Sequence, residues 1–239
     1  MKETILLTGF PSFGARKMAA ELLSDPDASV HAVVHKKFAE QASLSLEELS
    51  ADQRKRFNVI AGDVASIDLG LSGREFRALA KDVDRIHHAA EISFLGADRK
   101  LAEEVNIGGA REIVEFASSC AKLKCLAFHS TARVSGSREG LVLEEELQKG
   151  QAFRNVVEET KARSEKIIRA AMGKVPACVL RPTTVIGDSR TGEVDRFDGP
   201  YLLILLIVSS PSEFAVPLPG RGDIPLNLVP IDYVVRAAN

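Results

Sequence analysis

The chain has 239 residues, 45% of them hydrophobic, and is therefore long enough to bury one sizeable core. Its net charge is −2, with 31 basic and 33 acidic side chains interspersed along the sequence. This balance excludes the strong positive field that attracts nucleic acids or anionic membrane surfaces, and it favours a small-molecule partner.

The sequence also predicts the cellular compartment. The N-terminal residues lead directly into an apolar segment without a signal-peptide pattern, and the longest apolar stretch, 201–208, is too short to span a bilayer. Cys120, Cys125 and Cys178 lie in apolar surroundings and lack the spacing of metal ligands, so we expect buried free thiols. A cytoplasmic protein without membrane insertion is predicted.

Short apolar segments rich in β-branched residues alternate with longer segments of helical period, which is typical of βαβ units. Strands are predicted at Thr4–Thr8, Val30–His35, Phe57–Ala61, Arg85–Ala89, Cys125–Ser130 and Ala177–Thr183. Helices are predicted at Arg16–Leu23, Gly73–Ala80, Leu101–Cys120 and Asn155–Met172. The pattern indicates an α/β fold of the Rossmann type, with a doubly wound parallel sheet.

The residue composition changes from about Gly187, where Gly, Pro and Asp interrupt short apolar segments. We therefore expect two domains: a Rossmann-type domain over residues 1–190, and a small, truncated substrate-binding lobe over 191–239.

The turn after the first strand has the context of a dinucleotide-binding loop. Gly9 matches the first glycine of the fingerprint Gly-x-x-Gly-x-x-Gly, whereas Ser12 and Ala15 stand at the second and third positions. The predicted cofactor contacts here are Thr8, Gly9, Pro11, Ser12 and Phe13. A tight strand-to-helix turn without a ligand is the alternative.

Lys36 and Lys37 follow the second strand, where an acidic residue would bond a free ribose hydroxyl. Two cations suit the 2′-phosphate of NADP, so NADP(H) is preferred and NAD(H) stays an option. The alternative is a pair of solvated lysines in an exposed turn.

Further candidates follow the third and fourth strands. Asp63 can accept a hydrogen bond from an adenine amino group, with Val64 beside it, and the small side chains of Ala89 and Ala90 let the backbone lie against a cofactor. A turn aspartate and close-packed core residues are the alternatives. Asn106, early in the next helix, either bonds backbone near this site or satisfies a kink.

Several segments in a specific order resemble extended short-chain dehydrogenases/reductases. They are Gly62-Asp63-Val64, Leu69-Gly70-Leu71-Ser72, His87-His88-Ala89-Ala90, the stretch from His129 to Gly136, the stretch from Asn155 to Lys161, the stretch from Arg181 to Ser189, Leu218-Pro219-Gly220, and Val229-Pro230-Ile231-Asp232-Tyr233-Val234. The branch includes the male-sterility/fatty acyl-CoA reductase domain and the thioester reductase domains of peptide and polyketide synthases.

The resemblance implies an NADP(H)-dependent reductase that acts on a carbonyl or an acyl thioester. It implies that Thr131 polarises the carbonyl, that Lys161 holds the nicotinamide ribose, and that Pro182 contacts the cofactor. Val157 stands four residues before Lys161, where the family has the tyrosine that donates the proton. Because valine has no titratable group, we expect an impaired reductase.

Alternatives to that interpretation stay open. They are a proton supplied by water or by Tyr201, a catalytically inactive NADP(H)-binding sensor or partner protein, and a nucleotide-sugar epimerase or dehydratase. His87, His88 and His129 lack the spacing of a metal site, so no metal is expected. The oligomeric state is open, with a homodimer as one option.

Overall fold

The central element is a parallel sheet of six strands. The computed structural model describes residues 2–94, 96–197, 199–211 and 226–239. The strands are β1 Glu3–Thr8, β2 Ala28–Val34, β3 Phe57–Ala61, β4 Arg85–His88, β5 Cys125–His129 and β6 Ala177–Leu180, in the spatial order β3-β2-β1-β4-β5-β6. This confirms the predicted α/β class and the Rossmann topology.

The last predicted strand, Ala177–Thr183, is too long, because β6 ends at Leu180. Pro182 has no N–H group and cannot continue the ladder. Its carbonyl instead accepts a hydrogen bond from the N–H of Ala132, at 2.9 Å.

Helices cover both faces of the sheet. They are α1 Phe13–Leu22, α2 Ala39–Ser45, α3 Ala51–Lys55, α4 Gly73–Asp82, α5 Arg99–Ala102, α6 Gly109–Ser119 and α7 Val156–Ala171. Local capping defines several starts: Ser72 and Glu75 form a capping box on α4, and Asn155 caps α7. The sequence analysis did not predict α2 and α3.

The helix predicted over Leu101–Cys120 is confirmed as a helical segment, but it is not α-helical throughout. A π-helical turn, Glu103–Gly108, separates α5 from α6. Asn106 lies inside this turn and uses its side chain to bond Ile92 and Thr160 on neighbouring segments. A widened turn of this kind is typical of functional sites.

The main sheet lies between two apolar layers, because successive residues of a strand point to opposite faces of a sheet. Ile5 and Leu7 of β1 pack in the layer that contains α1, whereas Leu6 packs in the layer that contains α4, α6 and α7.

The residues after β6 form smaller elements. These are β7 Thr184–Ile186, α8 Pro200–Ser209, β8 Leu228–Pro230, which pairs with β7 in parallel, and α9 Ile231–Ala238. Ile231 and Val235 of α9 join the apolar layer of α1. The division at residue 190 stays a prediction, and the motif Leu218-Pro219-Gly220 lies outside the described residues.

The prediction of three buried thiols needs correction. Cys120 and Cys125 are half-buried, and Cys178 is exposed because β6 is an edge strand. The sulfurs of Cys125 and Cys178 lie 3.5 Å apart as free thiols. Within the described ranges, no helix has both the length and the apolar composition needed to cross a bilayer.

Candidate cofactor and active site

The strand order reverses between β1 and β4. Chain connections leave β1 toward β2 on one side, and β4 continues the sheet on the other side. In open parallel sheets such a switch point leaves a crevice at the carboxyl ends of the strands, where ligands bind. The predicted residues at the ends of β1, β2, β3 and β4 all belong to this edge.

The loop after β1 approaches β4 closely. Gly9 has a φ of 91°, and a Cβ atom there would lie 2.6 Å from the carbonyl oxygen of Ala89. Ser12 caps α1, with its hydroxyl 3.4 Å from the N–H of Ala15. The first turn of α1 therefore presents its free N–H groups at the crevice, an arrangement suited to a phosphate.

Pro11 and Phe13 flank this cap. Pro11 is buried behind it, and the half-buried Phe13 opens α1. The Phe13 ring lies 5.5 Å from the Lys17 ammonium and 5.7 Å from the Arg16 guanidinium. The ring thus contacts cations on its own helix at the mouth of the loop.

Thr8 is fully buried and bonds protein groups. Its hydroxyl lies 2.9 Å from Nδ1 of His88 and accepts a hydrogen bond from the N–H of Ala90, at 3.1 Å. The hydroxyl of Thr8 therefore positions the backbone of the half-buried pair Ala89 and Ala90.

The Asp63 loop is held in shape by two glycines. A Cβ atom on Gly62 would lie 2.6 Å from the carbonyl oxygen of Leu69, and Gly70 has a φ of 68°. The same carbonyl accepts a hydrogen bond from the N–H of Asp63, at 2.8 Å. The carboxylate of Asp63 accepts from Ala65 and Ser66, both at 3.0 Å. Val64 packs against the core beneath it.

Lys36 and Lys37 are exposed in a 3₁₀ turn directly after β2. The ammonium of Lys37 lies 4.8 Å from the centre of the Phe38 ring. The backbone N–H of Lys37 donates to Nδ1 of His35, at 3.1 Å. Both cations are therefore available to an anion at this edge of the sheet.

The structure brings Lys161 and Thr131 to the end of β5. The Lys161 ammonium donates to the carbonyl of His129, and its side chain is 4% exposed. The Thr131 hydroxyl accepts from the N–H of Arg133, at 3.3 Å, and lies 3.5 Å from the carbonyl of Pro182. These long contacts leave the hydroxyl able to donate elsewhere.

Glu91 is a site residue that the sequence analysis missed. Its carboxylate lies 2.8 Å from the Lys161 ammonium, and its side chain is 34% exposed. The available signal was its place as the first charged residue after Ala89-Ala90 at the end of β4.

Three histidines surround the base of this site. Burial lowers the pKa of His87 and His88 to about 3 and that of His129 to about 4, and the Lys161 cation adds to the effect at His88 and His129. Nδ1 of His87 lies 3.4 Å from Nε2 of His129. All three are neutral at pH 7 and add no charge beside Lys161.

The family model described as male sterility protein, an NAD-binding domain, matches residues 7–238. The chain belongs to this family. The predicted resemblance to fatty acyl-CoA reductases and thioester reductase domains is thereby confirmed.

Individual relatives agree with membership of the male sterility family. The chain is 29% identical to a linear gramicidin synthase of Brevibacillus parabrevis, over 98% of this chain and 5% of that protein. It is 24% identical to fatty acyl-CoA reductase wat of Drosophila melanogaster, over 98% of this chain and 52% of that protein. The terminal R domain of the myxalamid PKS-NRPS pathway superposes with a TM-score of 0.86 at 27% identity, over 99% of this chain and 61% of that one. The chain thus spans about half or less of the length of these curated relatives.

Val157 occupies the position where the resemblance predicts a tyrosine. It is half-buried on α7, four residues before Lys161 and on the same helix face. The phenol oxygen of Tyr201 accepts from the N–H of Gly187, at 2.8 Å, and Tyr233 is 60% exposed on α9. Among the described residues neither phenol is a hydrogen-bond partner of Lys161.

Proposed function

We propose that this domain binds NADP(H) in the crevice between β1 and β4 and reduces a carbonyl or an acyl thioester slowly. The observation that supports this most directly is the contact between Gly9 and Ala89. Gly9 tolerates no Cβ and lies in the loop that leads into the N-terminus of the ten-residue helix α1 at the switch point. This position suits the close approach of a pyrophosphate.

The remaining cofactor contacts follow from position. The Phe13 N–H group and the Ser12 hydroxyl face the phosphates, and Asp63 and Val64 face the adenine. Ala89 and Ala90 have small side chains, so that their backbone can lie against the cofactor. Lys36 and Lys37 supply two charges for a 2′-phosphate, which is the basis for preferring NADP(H) over NAD(H). Lys161 and Pro182 lie at the nicotinamide end.

The cofactor and the side chains contribute different steps of the reduction. A bound nicotinamide supplies the hydride. The Thr131 hydroxyl donates to the substrate oxygen and polarises the carbonyl. Val157 supplies no proton, and general acid catalysis is worth about 10²–10⁴-fold, so we propose a reduced rate with retained hydride geometry.

A catalytically inactive NADP(H)-binding sensor or partner protein is the second candidate. Val157 favours it, because the same fold binds the cofactor without a proton donor. An epimerase or dehydratase acting on a nucleotide sugar is the third, and it differs by turning over its substrate without net NADPH consumption.

Cofactor binding is tested by calorimetric titration with NADPH and NADH. We expect NADPH to bind more tightly, and we expect the double substitution of Lys36→Ser with Lys37→Ser to remove most of that preference. Lys55→Ser is the matched control, since Lys55 is an exposed lysine at the amino end of β3. The absence of a complex with either coenzyme at millimolar concentration would overturn the proposal.

Turnover is tested by NADPH oxidation with a panel of aldehydes and acyl thioesters. Slow oxidation that requires both the carbonyl and Lys161 supports the reductase. Tight NADPH binding with no oxidation favours the sensor.

A further inference from the structure

We propose that Glu91 takes the place of the missing phenol as the partner of Lys161, so that a phenol restored at position 157 would not be made acidic while Glu91 is present. The inference rests on the proposed reductase site, because it concerns the lysine at its centre. It identifies a positioning residue that the resemblance did not include.

The contact itself is short and selective. The Lys161 ammonium lies 2.8 Å from the Glu91 carboxylate and 4.9 Å from the centre of the Phe128 ring, and it also donates to the His129 carbonyl. Within the described residues, Glu91 is the one carboxylate that pairs with this ammonium. A lysine that is 4% exposed is therefore neutralised by a single acidic side chain.

The backbone on both sides of Glu91 is anchored. The N–H of Ala90 donates to the Thr8 hydroxyl, at 3.1 Å, and the N–H of Ile92 donates to Oδ1 of Asn106, at 2.8 Å. Asn106 in turn donates to the hydroxyl of Thr160, at 2.9 Å, and Thr160 directly precedes Lys161. The segment that holds the carboxylate is thus tied to the helix that holds the ammonium.

Other groups near the ammonium do not substitute for Glu91. His88 is buried and His129 is half-buried, both are neutral at pH 7, and the Phe128 ring has no net charge. Among the described groups that contact the Lys161 ammonium, Glu91 therefore supplies the one opposing charge.

The chemical consequence follows from charge. A free ammonium one helical turn away stabilises a phenolate and lowers the pKa of the phenol. A carboxylate at 2.8 Å from that ammonium opposes this field, because the two charges act on the phenol with opposite sign. Glu91 and Val157 are thus two changes that affect the same proton-donor site beside Lys161.

The test is a spectroscopic titration of Val157→Tyr, with and without Glu91→Gln. The chain has two tyrosines and no tryptophan, so one added phenol is readable by ultraviolet difference absorbance. We expect the phenol pKa of the double variant to lie at least one pH unit below that of the single variant, a tenfold change in the acid dissociation constant. We expect Lys161→Met, added to the double variant, to abolish this decrease.

A matched control removes a carboxylate elsewhere. Glu104 is exposed and pairs with Lys100, at 3.9 Å, so Glu104→Gln with Val157→Tyr should leave the phenol pKa unchanged. If the larger side chain prevents folding, Val157→Cys places a smaller titrating group at the same position, read by thiolate absorbance against the parent chain.

Equal pKa values with and without Glu91→Gln would overturn the inference, as would a decrease that persists without Lys161. The titration needs no cofactor. If the chain does not bind NADPH, the proposed function is rejected. The phenol titration still tests the pairing of Glu91 with Lys161, because it is measured without cofactor.

Discussion

Gly9 and Ala89 lie so close that a Cβ atom on Gly9 would be 2.6 Å from the Ala89 carbonyl oxygen. The contact joins the loop after β1 to the end of β4 and closes the floor of the crevice. Together with its positive φ, this contact restricts position 9 to glycine.

Gly9→Ala should destabilise the fold by about 2–4 kcal/mol, because it combines a φ of 91° with a backbone clash. Urea unfolding measures this, and NADPH titration should show lost binding. Gly14→Ala is the control: Gly14 lies inside α1, where the nearest atom to its Cβ would be 3.8 Å away, so that substitution should be neutral or stabilising by about 0.5–1 kcal/mol. Equal effects at the two glycines would contradict this view of the loop.

Asn106→Asp should destabilise the chain by about 1–3 kcal/mol. The substitution removes the amide that donates to the Ile92 carbonyl, at 3.1 Å, and to the Thr160 hydroxyl, at 2.9 Å. Thermal unfolding provides the measurement. Asn58→Asp, on the exposed side of β3, is the control and should change stability little. A similar loss in both variants would mean that Asn106 does not brace the π turn.

The Glu165 carboxyl should make the stability of the fold depend on pH. Burial raises the pKa of its carboxyl, but hydrogen bonds and charge from Arg181, Ser130 and Arg169 outweigh it, so the pKa is lowered from 4.5. A lowered folded-state pKa means that the stabilisation is present above about 4.5 and is lost as pH falls through the folded-state value. Urea unfolding between pH 3 and 7 should show that loss.

Glu165→Gln should flatten that part of the profile and lower stability at pH 7 by about 2–4 kcal/mol, because it leaves Arg181 and Arg169 without their buried partner. The same acid slope in this variant would assign the effect to other carboxylates.

Val157→Tyr should restore reductase activity only together with Glu91→Gln. General acid catalysis by the phenol contributes about 10²–10⁴-fold to the rate. The Glu91 carboxylate opposes the positive charge of Lys161 that would lower the pKa of this phenol. NADPH oxidation with an acyl thioester compares the parent, both single variants and the double variant. Full recovery in Val157→Tyr alone would show that Glu91 does not control the donor.

The sequence was sufficient for the sheet and for much of its carboxyl edge. Short apolar segments rich in β-branched residues located all six strands of the main sheet. The signal is strongest for the central strands, whose burial on both faces imposes a continuous apolar composition. Helical periodicity likewise located α4 and α7, because the apolar face that each helix buries recurs at a local spacing. The family resemblance rested on the same strand ends.

The tertiary structure decided the parts that depend on residues distant in sequence. Asn106 widens its helix because its partners, Ile92 and Thr160, come from two other segments, and no helical periodicity records them. The pair of Glu91 and Lys161 joins residues 70 positions apart, at 2.8 Å, only because β4 and β5 are neighbours in the sheet and α7 packs beside them. Sequence patterns report local geometry and burial, whereas a charge pair at an active site depends on where the folded chain places its two members.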